Sequence, residues 1–309
     1  MNLILSEVSP RDGLQNETRI LSTAQKLSLI NRLLECGFLE VETTACVSAA
    51  KVPQMADSAE VLAGLPQKEG AVFSTLVANM RGLETVLQHP RAGKIAVFTA
   101  ASESFAQNNI GCGVDDSINR FAPIVQRAKE EGLTVRGYIS TVVLCPFEGA
   151  ISPQKTAEVA ARLAQIGCDE IALGDTLGAA TPKTIRPMWR ETMQAVSKTP
   201  LIAHFHDTYG GAIANIACAL EEGAAGVDAS TGGLGGCPFA PGAAGNAAME
   251  DVVYFLEKEG VTTGVNLDAV INVGEWICRE LERPYRVKSG VAACAALKKG
   301  GANESKTAN

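Results

Sequence analysis

The segment AHFHD, residues 203–207, holds two of the three histidines in a chain of 309 residues. Side chains two apart on a strand share a face, so His204 and His206 project together while Phe205 turns away. A neutral imidazole pair at a strand end suits a metal ion; a packed, hydrogen-bonded pair is the alternative. A second polar cluster lies near the start, where SPRDG sets Arg11 beside Asp12. Further acids stand at Glu42, Asp175 and Glu250, and the segment GGLGGCPFAPGAAGN (232–246) ends on Asn246. That loop carries six glycines, two prolines and Cys237. It reads either as a phosphate-gripping loop or as a lid bearing a thiol that transfers protons beside a bound cation.

These side chains need elements that bring them together. Apolar runs of strand length recur as LILSEV (3–8), FLEVETT (38–44), AVFSTLV (71–77), KIAVFTA (94–100), LTVRGYIS (133–140), DEIALGD (169–175), PLIAHFH (200–206) and AGVDAS (225–230). Helix-like segments separate them. In TAQKLSLINRLLECG (23–37), Leu27, Ile30, Leu33 and Leu34 share one face. Two others, 152–167 and 210–223, end in glycine, as helix C-termini often do. Eight strand–helix units predict an α/β fold, a (β/α)8 TIM barrel over residues 1–265, rather than an open doubly wound sheet. A short C-terminal helical extension follows over 266–299, with a tail at 300–309 whose composition suits disorder.

Barrel active sites form where strands end. The first strand delivers Arg11 and Asp12, with Gly13 letting the backbone bend away beneath them; the second delivers Glu42 and the sixth Asp175. Closure sets strand 8 beside strands 7 and 1, so Asp12, His204, His206 and Asn246 can surround one ion. Two imidazoles, a carboxylate and an amide oxygen, with room for substrate oxygens, suit Mg²⁺ or Mn²⁺ better than a closed structural zinc site. No lysine stands at the C-terminal end of a proposed strand, and Lys94 begins strand 4. That disfavours Schiff-base chemistry.

Composition narrows the classes. The net charge of -7 argues against broad nucleic-acid binding, which leaves a basic footprint. Nine cysteines without a CxxC pair suggest free thiols in a reducing compartment, and the opening MNLIL is too short an apolar run for a membrane span. A cytoplasmic enzyme is the expectation. Between Arg279 and Lys299, six basic residues face two acidic ones, as a solvated face or an anion site.

The motifs resemble those of the hydroxymethylglutaryl-CoA lyase family. The similarity runs through SPRDGLQNE (9–17), EVETT (40–44), VPQMAD (52–57), RGYIS (136–140), CPFEG (145–149), EIALGDT (170–176), AHFHDTYG (203–210) and the Cys237 loop. It implies a retro-Claisen cleavage of 3-hydroxy-3-methylglutaryl-CoA to acetyl-CoA and acetoacetate, a small-molecule acyl-CoA substrate, and a homodimer. It implies Asp12, His204, His206 and Asn246 on a divalent metal, and Cys237 as the proton-transfer group. Glu42 and Asp175 match the family's active-site acids, Arg11 suits the enolate oxygen, and Glu250 suits a supporting position. Departures fall at Ser9, where the family has glycine, at Ala45 and Cys46 in ETTAC, and in SAAKVPQM (48–55). They leave room for a bulkier 3-substituent. Rival readings are a lyase for another branched 3-hydroxyacyl-CoA, a condensing synthase, and a silent binding barrel.

Overall fold

The computed structural model describes residues 3–236 and 245–295. Among them the strands are β1 (Ile4–Glu7), β2 (Glu40–Cys46), β3 (Val72–Val77), β4 (Ala92–Ala100), β5 (Thr134–Ser140), β6 (Leu144–Cys145), β7 (Gly149–Ala150), β8 (Glu170–Asp175), β9 (Leu201–Phe205) and β10 (Gly226–Ala229). Eight of them close into a barrel in the order β1-β10-β9-β8-β5-β4-β3-β2. β6 and β7 pair only with each other, as an antiparallel ribbon in the loop after β5. All eight expected barrel strands are present; the ribbon, two residues a side, was too short to give an alternation signal.

Barrel pairing is parallel throughout. Strands of this kind are covered by helices, which is why their sequences are near-continuous apolar runs. The helix Thr23–Glu35 illustrates the covering layer: a Ser22–Gln25 capping box starts it, and Leu29, Ile30, Leu33 and Leu34 are buried. Trp189, fully buried on Pro182–Val196, meets Phe205 edge-on at 6.3 Å between ring centroids. The outward turn of Phe205 follows from the alternation that sends His204 inward.

The extension is a helix, Leu267–Glu280, that buries Val270, Ile271, Val273, Ile277 and Cys278. Further helix covers 288–295. Of the basic residues here, Arg283 bonds Glu17 and Lys288 lies 3.0 Å from Asp207. In these two cases the charge fastens the segment to the barrel. Lys298, Lys299 and the tail at 300–309 lie outside the described residues.

One local expectation is corrected. Arg11 and Asp12 do not end β1; they ride on a turn of π-helix, Ser9–Gly13, that follows it. Its wide bonds run from Gly13 N to Val8 O (3.1 Å) and from Leu14 N to Ser9 O (2.9 Å). Such insertions recur at functional sites. Gly13 is needed for close approach: a Cβ there would sit 2.7 Å from Ser230 Oγ and 2.9 Å from Leu234 Cβ.

Candidate active site at the barrel mouth

Three separate segments converge where the strands end. The π-turn supplies Arg11 and Asp12, β9 supplies His204 with His206 just beyond it, and Asn246 reaches in through an isolated bridge to His206. Ligand atoms of Asp12, His204 and His206 lie within 4.8 Å of one another, and all three residues are buried. Asn246 donates from Nδ2 to Asp12 Oδ2 at 2.7 Å and to Leu234 O at 3.2 Å. Its Oδ1 is buried and without a partner, as is His206 Nδ1. An unpaired amide oxygen beside a carboxylate and two imidazoles forms a donor set that fits a divalent cation.

Electrostatics hold Asp12 ionised and His206 neutral, the forms that ligate, and act the other way on His204. Burial pushes the Asp12 carboxyl up, but the Arg11 guanidinium and the two imidazoles outweigh it and hold the group well below its usual range. His206 is pushed down to about 4 by burial and by the charge of His204, so it is neutral near pH 7. For His204, burial favours the neutral ring, yet the hydrogen bond to Asp228 and the charge of Asp12 raise its pKa.

Arg11 is clamped. Its Nη1 meets Asp12 Oδ1 and its Nη2 meets Glu42 Oε2, both at 2.6 Å, and its guanidinium lies over the Tyr138 ring at 5.4 Å. Nε is left without a partner. Glu42 is thereby brought to the site as the anchor of Arg11, with Tyr138 Oη 3.4 Å away. Burial raises the Glu42 pKa against the opposing pull of Arg11. Asp175 takes another place: its carboxylate accepts from the backbone N–H groups of Ala179 (3.3 Å) and Ala180 (2.9 Å). It shapes the loop beneath His206 and is not drawn into the Asp–His–His cluster.

Glu250 stands behind the loop base. It accepts from Gly232 N at 2.9 Å and from Tyr285 Oη at 3.1 Å. Burial outweighs these hydrogen bonds and pushes its carboxyl up to about 8. The two ends of the loop meet closely, since a Cβ on Gly245 would fall 2.6 Å from the Gly235 carbonyl. Cys237 lies outside the described residues.

A cavity of about 800 Å³ opens over these groups, lined near the cluster by Arg11, Asp12, His204, His206 and Tyr138. Ala45, Leu76 and Phe98 form an apolar stretch of its wall. Cys46 does not line it. That side chain packs toward Gly82, so of the two ETTAC departures only Ala45 faces the cavity. Ser9 donates its backbone N–H to Glu7 at 2.8 Å, while its Oγ is buried without a partner.

An ionic layer that sequence reasoning missed lies inside the barrel. Arg136 reaches Glu170 (2.5 Å), Glu40 (2.6 Å) and Asp228 (2.7 Å), and Lys94 joins Glu40 (2.9 Å) and Glu170 (2.7 Å). Asp228 in turn meets His204 Nδ1 at 3.1 Å. The available signal was a charge within each of several apolar strand segments, which only a partner inside the barrel explains.

A parallel eight-stranded barrel with an Asp–His–His cluster at its C-terminal mouth is the arrangement of a (β/α)8 enzyme with a candidate divalent-metal site. The HMGL-like family model matches residues 2–277, and the chain belongs to that family of lyases. It is 46% identical over 289 residues to the hydroxymethylglutaryl-CoA lyase of Pseudomonas mevalonii, covering 94% of this chain and 96% of that one. Similarity to the mitochondrial hydroxymethylglutaryl-CoA lyase of Homo sapiens is 46% over 288 residues, 93% of this chain and 88% of that protein. The crystal structure of hydroxymethylglutaryl-CoA lyase from Pseudomonas aeruginosa superposes with a TM-score of 0.92 at 43% identity, covering 96% and 98% of the two chains. Relatives named as mitochondrial and as cytoplasmic both occur.

Proposed function

We propose that the protein cleaves 3-hydroxy-3-methylglutaryl-CoA to acetyl-CoA and acetoacetate. The observation that carries this reading is one cavity holding both the Asp12–His204–His206 cluster and the Arg11 guanidinium. A divalent cation, Mg²⁺ or Mn²⁺ by the oxygen-and-imidazole character of its ligands, supplies Lewis acidity toward the substrate's oxygens when bound. Asp12, His204, His206 and Asn246 hold it.

The chain's own groups divide the remaining work. As the C3 hydroxyl gives up its proton to solvent in the cavity, breaking the C2–C3 bond leaves a ketone and places negative charge on the thioester oxygen of the acetyl fragment. Arg11 faces that charge, with Glu42 and Asp12 fixing the guanidinium in advance so that no reorganisation accompanies bond breaking. Cys237 delivers the proton that C2 requires. Asp175 and Glu250 act through the backbone they hold, one at the loop after β8 and the other at Gly232.

Incubation of the purified chain with 3-hydroxy-3-methylglutaryl-CoA and Mg²⁺, with products identified by mass spectrometry, tests the reading. Equimolar acetyl-CoA and acetoacetate are expected, and their absence overturns it. A second reading rests on Ala45: the small residue beside Leu76 and Phe98 favours acceptance of homologues with a longer 3-substituent. The protein is further read as a cytoplasmic homodimer. In support of the compartment, relatives named as cytoplasmic occur, and the buried cysteines from Cys36 to Cys278 are free thiols.

A further inference from the structure

We infer that Asp228, oriented by Arg136, is a positioning residue that fixes His204 as its Nδ1–H tautomer and so turns the Nε2 lone pair toward Asp12. The inference rests on the metal assignment within the proposed function and assigns roles to two residues outside the ligand set.

The hydrogen-bond directions carry it. An Arg guanidinium has five N–H donors and no acceptor. Arg136 spends them on fixed partners: Nε on Glu170 (2.5 Å), Nη2 on Glu40 (2.6 Å) and Ser6 Oγ (3.0 Å), and Nη1 on Asp228 Oδ1 (2.7 Å) and, at 3.4 Å, Tyr138 Oη. Arg136 is fully buried, so it has no alternative geometry to adopt. Asp228 Oδ1 is thus pinned as an acceptor. The other oxygen, Oδ2, lies 3.1 Å from His204 Nδ1. A carboxylate only accepts, so the imidazole places its proton on Nδ1. That leaves Nε2 as a bare acceptor 3.7 Å from Asp12 Oδ2.

Two acceptors facing each other at that distance repel unless a cation lies among them. Asn246 Oδ1 stands by, buried and unpartnered. The tautomer choice therefore decides whether the cluster is a ligand set at all. With the proton on Nε2, His204 would donate toward Asp12 and close the site to metal. Ligating histidines are commonly oriented by a carboxylate on the other nitrogen, and loss of that partner costs roughly 10- to 100-fold in metal affinity.

The same geometry makes Asp228→Asn a sharp test. Arg136 still demands an acceptor, so the carboxamide must turn its oxygen to Nη1 and its NH₂ to His204. That donor forces Nδ1 to accept and moves the proton to Nε2. The experiment is a long-range ¹H–¹⁵N imidazole correlation spectrum of the full-length chain, stripped of metal and held in alkaline buffer so that the rings are neutral. Three histidines make the spectrum assignable. Mn²⁺ affinity of the same samples is read by electron paramagnetic resonance.

Wild type is expected to show His204 protonated at Nδ1. The Asn variant should show Nε2–H and at least about tenfold weaker Mn²⁺ binding. An Nε2–H signal in wild type overturns the inference, and that measurement stands alone if the variant fails to fold. An Asn variant with Nδ1–H and wild-type Mn²⁺ affinity overturns it as well. A wild type with the expected tautomer and tight Mn²⁺, but without cleavage of the acyl-CoA, refutes the proposed reaction and leaves this assignment intact.

Discussion

Glu250→Gln isolates a single buried acid whose ionisation opposes folding. The carboxyl is fully buried, and burial lifts its pKa from 4.5 to about 8 despite hydrogen bonds from Gly232 and Tyr285. A raised carboxyl pKa means that the folded state holds a proton the unfolded state has released. Stability is therefore complete below the unfolded value and declines as pH rises through the window from 4.5 to about 8. At 1.36 kcal/mol per pH unit, the loss reaches about 3 kcal/mol by pH 7 and has a ceiling of about 5 kcal/mol above the window. Glutamine reproduces the protonated acid: Oε1 still accepts from Gly232 N and Tyr285 Oη, and the amide replaces the second oxygen. The variant should match wild type in acid and then gain on it. With about 2–4 °C in Tm per kcal/mol for a chain approaching this size, the advantage grows to roughly 6–12 °C by neutral pH. Thermal unfolding of both proteins across a series of pH values measures it. A Tm difference that stays flat with pH would refute the claim that a protonated Glu250 supports the Gly232 turn.

Three other outcomes follow from the packing. Glu42→Gln keeps the shape of the Arg11 clamp but removes one charge; a loss of about 2 kcal/mol would lower kcat roughly thirtyfold with KM little changed. Steady-state kinetics check this, and an unchanged kcat removes Glu42 from the positioning of Arg11. Gly13→Ala drives a methyl to 2.7 Å from Ser230 Oγ, so overpacking should cost about 1–3 kcal/mol in denaturant unfolding, and an unaltered midpoint would contradict the close approach. Ala45→Leu fills the wall beside Leu76 and Phe98; it should cut the ratio of kcat/KM for a 3-ethyl homologue over the methyl substrate about tenfold, and a constant ratio removes Ala45 from the acyl pocket.

Much of this site was legible because its signals are local. Eight buried strands appear as apolar runs, and His204 and His206 announce themselves by alternation within one strand. Barrel closure then puts Asp12 and Asn246 beside them, although 234 positions separate the two along the chain. The π-turn was hidden because its bonds skip five residues and no side-chain pattern marks the wider ring. Arg136 and Asp228 were hidden for a different reason: their meaning lies in partners up to 130 positions away, and a charge within a strand reads as an anomaly until the barrel closes around it. Asp175 shows the limit of reading roles from strand ends. It occupies the expected place, yet loop amides claim its carboxylate. At the ETTAC departure, only register tells that Ala45 faces the cavity and Cys46 does not; a shift between Glu42 and Thr44 alters the simple alternation there.

The most direct test of the central claim joins metal occupancy to cleavage in one titration. Metal-stripped protein is supplied with Mn²⁺ while bound ion and acetoacetate formation are followed together, for wild type and for His204→Ala. Wild type should bind one ion per chain, with cleavage rising in proportion to occupancy, and His204→Ala should lose both while keeping a near-normal Tm. Cleavage that persists without metal, or His204→Ala protein that binds Mn²⁺ and turns over as wild type does, would contradict the account.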